Sequence, residues 1–301
     1  MGNGIVLIPA GLVVLVLALV LVFGAPPYFY RLAVARHPQA GSGEPNWLDT
    51  QTVEDLWIES GDGLKLHAYY AAAPGSSDTV ILAHGYSGDG RQLHGFARVF
   101  HDHFGMNVLL PDARGHGQSG GTYTGFGWHE RLDLLNWIAL IKERVVQGPG
   151  PRIVLFGISM GAATVLMASG EPLPPEVRLI IADCGYTSVM EELGWQMRYQ
   201  YHVSCPPLVR AVSRLTKRRA GYSFEEASAL EQVKKSRTPT LFIHGEADTF
   251  VPFEMGGRLY QACAAEKEFF PVPGAGHGMA YDTDSGEYLR RITLFIEKYM
   301  V

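Results

Sequence analysis

From residue 53 onward the chain alternates short apolar runs with longer amphipathic ones. Val53–Glu59 and Leu64–Ala71 flank Ser60-Gly61-Asp62-Gly63, a turn-forming tetrapeptide, and predict a β-hairpin. Six further strands are predicted at Thr79–Ala83, Asn107–Leu110, Arg152–Phe156, Val177–Ala182, Thr240–Ile243 and Glu268–Val272. They are almost wholly apolar, as strands covered on both faces must be. Between them Leu93, Phe96, Phe100 and Phe104 recur at helical spacing, and so do Trp128, Leu132, Leu135 and Ile138 within Trp128–Val146. Strands alternating with helices predict an α/β fold, a mostly parallel sheet with helices on both faces. The connection from Ala182 to Thr240 holds no strand pattern and is too long for a structureless loop. Its aromatic and helix-forming residues predict a small helical cap inserted at about 187–222.

The first part of the chain is patterned differently. Ile5–Phe23 carries no charged side chain and no polar face, which predicts a transmembrane helix at 5–23. A cleaved signal peptide fits less well, since no Lys or Arg precedes the apolar run and Pro26-Pro27 follow the small residues. Arg31 and Arg36 follow it, so the expected setting is a single-pass protein of the plasma membrane with a cytoplasmic main domain. Residues 24–51 read as a Pro/Gly-containing linker and 52–301 as the folded domain.

Composition narrows the classes. The chain has 301 residues, 47% hydrophobic and 18% charged, which suits one large globular domain. A net charge of −5 with scattered basic residues argues against a nucleic-acid partner. Three cysteines without C-x-x-C spacing argue against a disulfide framework and against a zinc site.

The chemistry turns on two pentapeptides of the form G-x-S-x-G, Gly117–Gly121 and Gly157–Gly161. A nucleophilic serine of this kind sits where a strand ends and a helix begins. Ser159 follows RIVLF and precedes AATVLMAS, so it has that setting. Ser119 lies in the Gly-rich loop PDARGHGQSGG and lacks it. A serine needs a base. His277, just after the last predicted strand, falls on the carboxyl edge of the sheet, where Ser159 also lies. Asp248, after the strand TLFI, is the expected orienting acid, with Asp183 and Glu246 as competitors. The backbone N–H groups of Met160 and Tyr86 are the expected oxyanion donors. His84 reads as a loop-shaping residue, and Asp112, Arg114 and His116 as residues that hold a turn.

In this order and spacing, HGYSG, PDARGHGQSGG, GISMG, HGEADTFVP and GAGHG resemble the α/β-hydrolase superfamily. The likeness is to small membrane-anchored hydrolases of the serine-aminopeptidase-like or lysophospholipase-like kind, and it covers about residues 52–301. It implies an eight-stranded sheet, a triad on Ser159, Asp248 and His277, a cap after the sixth strand, and no cofactor or metal.

The function expected is a serine hydrolase of esters or thioesters, with lipid-like or acylated substrates. The alternatives are a peptidase, with Glu191 and Glu192 as candidate amine-holding residues, and a membrane-tethered interaction protein without activity. Trp195, Met197, Tyr199, Tyr201 and Val203 read either as an acyl-binding wall or as packing. Arg210, Arg214, Lys217, Arg218 and Arg219 read either as a contact for anionic head groups or as a solvated helix face.

Overall fold

The computed structural model describes residues 24–36, 45–145 and 150–300. A short helix, α1 (Ala25–Ala33), opens the described chain. The strands are β1 (Val53–Glu59), β2 (Lys65–Ala71), β3 (Thr79–Ala83), β4 (Asn107–Pro111), β5 (Ile153–Ile158), β6 (Val177–Asp183), β7 (Thr240–Gly245) and β8 (Lys267–Val272). The remaining α-helices are α2 (His94–Arg98), α3 (Glu130–Arg144), α4 (Met160–Ala168), α5 (Val189–Tyr201), α6 (Pro206–Ala220), α7 (Ala229–Val233), α8 (Phe253–Ala262), α9 (Ala280–Thr283) and α10 (Ser285–Tyr299).

The strands form one eight-stranded sheet in the order β1-β2-β4-β3-β5-β6-β7-β8. β2 runs antiparallel to both β1 and β4, and the other five pairings are parallel. Period-two geometry divides each central strand between two cores. Ile81, Leu155, Ile180 and Phe242 pack on one face with α3, α4 and α6. Val80, Leu82, Val154, Phe156, Ile181 and Leu241 pack on the other with Phe100 and with Tyr288, Ile292 and Phe295 of α10. Ile153, Val154, Leu155 and Phe156 are all fully buried, and each contributes about 1.5–3 kcal/mol by leaving water. The edge strand β1 instead shows mostly exposed and half-buried positions, and its sequence VEDLWIE is correspondingly mixed.

The long connection between β6 and β7 folds as α5, α6 and α7. On α6, Val209, Val212, Ser213, Thr216 and Ala220 are buried while the basic residues face outward. Lys217 pairs with Glu226 at 2.8 Å, and Arg219 lies over the Tyr30 ring of α1.

The membrane placement is corrected. The span expected at 5–23 lies outside the described residues, and among these no helix is long and apolar enough to cross a membrane. The longest described helices have 15 residues and carry charges throughout. At a rise of about 1.5 Å per residue they reach about 22 Å, short of the roughly 30 Å hydrocarbon core. The expected single-pass plasma-membrane setting with a cytoplasmic domain therefore finds no support among the described residues.

Candidate active site

Ser159 stands between β5 and α4 with φ 56° and ψ −116°, a backbone conformation that non-glycine residues rarely adopt. Strain of this kind costs of order 1–3 kcal/mol and must be imposed by the surroundings. Here the Ser159 N–H donates to the carbonyl of Asp183 at 2.9 Å, tying the turn to β6. The flanking glycines permit the tight packing. A Cβ on Gly157 would collide with the Gly161 carbonyl, and one on Gly161 with the Ala83 carbonyl.

Three side chains meet at this turn. His277 Nε2 lies 2.9 Å from Ser159 Oγ, and His277 Nδ1 lies 2.8 Å from Asp248 Oδ2. Asp248 is fully buried as a side chain, whereas His277 retains 24% exposure toward the cavity. The other oxygen of Asp248 accepts the backbone N–H groups of Phe250 and Val251, both at 2.9 Å. His244 Nε2 approaches Oδ2 at 3.4 Å. Burial alone would raise the Asp248 pKa, but the hydrogen bonds and charge of His244 and His277 outweigh it and hold the carboxyl at about 2. An ionised aspartate on Nδ1 leaves Nε2 as the atom that can take a proton from the serine hydroxyl.

The competing residues are engaged elsewhere. Asp183 is buried and accepts the Tyr288 hydroxyl at 2.9 Å; burial lifts its pKa to about 6, against the Tyr288 hydrogen bond. Glu246 is exposed. His84 donates from Nδ1 to the Gly85 carbonyl at 2.7 Å and accepts the Ala113 N–H at Nε2, bridging the loops after β3 and β4. Burial pushes its pKa down. Asp112 accepts from His67 Nδ1 and from the N–H groups of Gly90 and Gln118. Arg114 forks onto Asp133 and Asp62 at 2.7–3.2 Å.

Cys184 Sγ lies within 4.8 Å of the Asp248 and His277 donor atoms. Burial raises its thiol well above the ordinary range, so it stays protonated beside a ring and a carboxylate already bonded to each other.

Met160 is the first residue of α4, so its N–H belongs to the helix N-terminus, where negative charge is favoured. The loop after β3 comes close by: a Cβ on Gly85 would sit 3.7 Å from Ser159 Cβ. Its next residue, Tyr86, donates its hydroxyl to the Ala33 carbonyl at 2.8 Å and stacks on Phe126 at 5.3 Å.

Over Ser159 opens a cavity of about 590 Å³. Its walls are mostly apolar and include Phe29 and Leu32 of α1, Leu193 and Met197 of α5, Val209 of α6, and Phe224. Of the residues considered for an acyl wall, Met197 lines the cavity. Tyr199 and Val203 are exposed, and Trp195 is half-buried and donates its Nε1–H to the Thr249 carbonyl. The side chain of Tyr201 lies outside the described residues. Glu191 is occupied by Arg258 at 2.6 Å, while Glu192 faces the cavity. The contribution of α1 is not among the expectations drawn from sequence, although APPYFYRLA carries the signal: two prolines at a helix start, then Phe29, Leu32 and Ala33 at spacings of three and four.

An eight-stranded, mostly parallel sheet with a serine on a strained strand-to-helix turn and a histidine and acid on the same edge is the architecture of an α/β hydrolase. The pattern of the Alpha/beta hydrolase family matches residues 80–291, and the chain belongs to this family. Bacillus subtilis (strain 168) YqkD, an uncharacterized protein, is 30% identical over 240 residues, covering 80% of this chain and 78% of YqkD. Alpha/beta hydrolase domain-containing protein 17B of Xenopus tropicalis is 26% identical over 235 residues, 77% of this chain and 71% of its own. Among solved structures, Pyrococcus furiosus esterase PF2001 superposes with a TM-score of 0.69 at 24% identity, covering 89% of this chain and 99% of its own. Acetyl xylan esterase 1 from Thermoanaerobacterium sp. JW/SL YS485 gives 0.61 at 18%, covering 89% of each.

Proposed function

We propose that the protein is a serine hydrolase that cleaves carboxylic esters or thioesters through an acyl-enzyme, with Ser159 as nucleophile, His277 as base and Asp248 as its orienting acid. The observation that carries this reading is the continuous hydrogen-bonded chain from Ser159 Oγ through His277 to Asp248 at the mouth of an apolar cavity. Two structural neighbours are named esterases, which fits the same reaction type.

In this reaction Ser159 Oγ attacks the acyl carbon as His277 Nε2 takes the hydroxyl proton. The carbonyl oxygen becomes an oxyanion held by the N–H groups of Met160 and Tyr86. Collapse breaks the bond to the leaving alcohol or thiol, which receives the proton from His277. Water then attacks the acyl-serine, giving its proton to His277, and the carboxylic acid leaves as Ser159 is reprotonated. The acyl part occupies the cavity, and α5 and α6 act as a cap within a hydrolase domain of about residues 52–301. Apolar walls favour an aliphatic acyl chain, since each buried methylene contributes about 0.8 kcal/mol.

The test is labelling with a fluorophosphonate probe, followed by a panel of p-nitrophenyl esters and acyl-thioesters of rising chain length. Labelling that disappears in Ser159→Ala, with ester turnover, is the expected result. A folded protein that neither labels nor turns over any member of the panel refutes the reading.

A further inference from the structure

Two buried polar side chains face the cavity and take no part in the reaction above. Glu192 and Gln196 stand one turn apart on α5, are 7% and 9% exposed, and both line the cavity. The Gln196 amide has a fixed orientation. Its Nε2 donates to Glu192 Oε1 at 2.7 Å and to the Phe250 carbonyl at 2.6 Å. A carbonyl can only accept, so the amide cannot be turned over without losing that bond. Glu192 Oε2 and Gln196 Oε1 remain, both buried and without a hydrogen-bond partner among the described residues. Leaving such atoms unpaired is costly, because they have given up water without gaining a partner. They sit among Leu193, Met197, Val209, Val212 and Phe224, a lining otherwise suited to hydrocarbon. Burial, reinforced by the charge of Asp248 and partly offset by the Gln196 amide, lifts the Glu192 pKa to about 8. At neutral pH the carboxyl is therefore protonated, with an O–H to offer beside the free acceptor of Gln196.

We propose that Glu192 and Gln196 form a polar subsite that binds a hydroxyl group on the acyl part of an otherwise apolar substrate; this deepens, and rests on, the ester-hydrolase reading of Ser159. A hydroxyl both accepts and donates. One such group accepts from Glu192 and donates to Gln196, satisfying both atoms at once. A methyl end satisfies neither. An ammonium has only donors and requires the carboxyl to ionise first. The subsite is tied to the reacting centre, because Phe250, which accepts from Gln196, donates its N–H to Asp248 and holds its ring 4.8 Å from that of His277.

Binding is measured by calorimetry on Ser159→Ala, which removes turnover from the readout. The probes are methyl esters of straight-chain acids, each compared with analogues bearing a hydroxyl or an ammonium at successive positions. A hydroxyl at one position is expected to tighten binding about tenfold or more. The preference should vanish when Glu192→Leu or Gln196→Leu is added, and persist with Glu192→Gln, which keeps a donor of the same shape. No tightening at any position, a preference that survives both leucine substitutions, or preference for the ammonium at neutral pH overturns the subsite. The same esters given to the wild-type protein separate the two ideas. Turnover without hydroxyl preference sinks the subsite alone, and hydroxyl-selective binding without turnover sinks the hydrolase reading.

Discussion

The hydroxyl of Ser119 donates to the backbone carbonyl of Asp112 at 2.7 Å. Its oxygen also accepts the His67 N–H at 2.9 Å, and the residue is fully buried. The pentapeptide Gly117–Gly121 therefore fastens the loop after β4 to β2. Ser119→Ala is expected to lower stability by about 1–3 kcal/mol, visible as an earlier thermal transition, while fluorophosphonate labelling persists. Ser159→Ala should do the reverse, losing the label without losing stability. Labelling that follows Ser119 instead would reassign the nucleophile.

Asp183 ends β6 and Asp248 follows the adjacent strand β7, yet only Asp248 bonds to His277. Asp248→Asn removes the charge that orients the ring and should reduce kcat by about 10³–10⁴-fold. Asp183→Asn, whose contact is with Tyr288, should reduce it by no more than about tenfold. Steady-state ester hydrolysis by the two purified variants decides between them.

Gly161 lies against the Ala83 carbonyl, with no room for a methyl group. Gly161→Ala forces β3 and α4 apart and is expected to destabilise the fold by about 3 kcal/mol or more. Gly257, where a Cβ meets nothing within 4 Å, is the control. Gly257→Ala in α8 should leave stability unchanged or raise it by up to about 1 kcal/mol, by restricting the unfolded chain and favouring helix. Denaturant titration of both variants provides the comparison.

Glu192 predicts a pH signature. Its carboxyl is raised from 4.5 to about 8, so the folded state holds the proton more tightly than the unfolded one. The stability it supplies is whole below about 4.5 and is lost as pH rises toward about 8. Asp248, held at about 2, acts in the opposite sense: its contribution is present above about 4 and fades as pH falls through about 2. Unfolding free energies from pH 4.5 to 8 should therefore fall more steeply in the wild type than in Glu192→Gln, by on the order of a few kcal/mol. Parallel curves would show that Glu192 does not change protonation in this range.

The sheet was legible because strands covered on both faces must be apolar along their whole length, so TVILA and RIVLF announce themselves without a partner. Ser159 was distinguishable from Ser119 by what flanks it, a strand before and helix formers after. Two things were hidden. The role of α1 depends on its packing against α6 and the cavity, and no local pattern states what an amphipathic turn will meet. The pairing of Glu192 with Gln196 was visible only as an i, i+4 spacing. Their burial, and the neutral carboxyl that follows from it, depend on tertiary packing, including the bond from Gln196 to the Phe250 carbonyl, a residue far away in sequence.

The cavity takes side chains from Phe29 and His277, which lie far apart in the sequence. A nascent polypeptide cannot close this pocket until β8 has left the ribosome, since His277 follows that strand. Under the proposed reaction, a chain that stops short of His277 lacks the base, so its Ser159 would label with no fluorophosphonate probe.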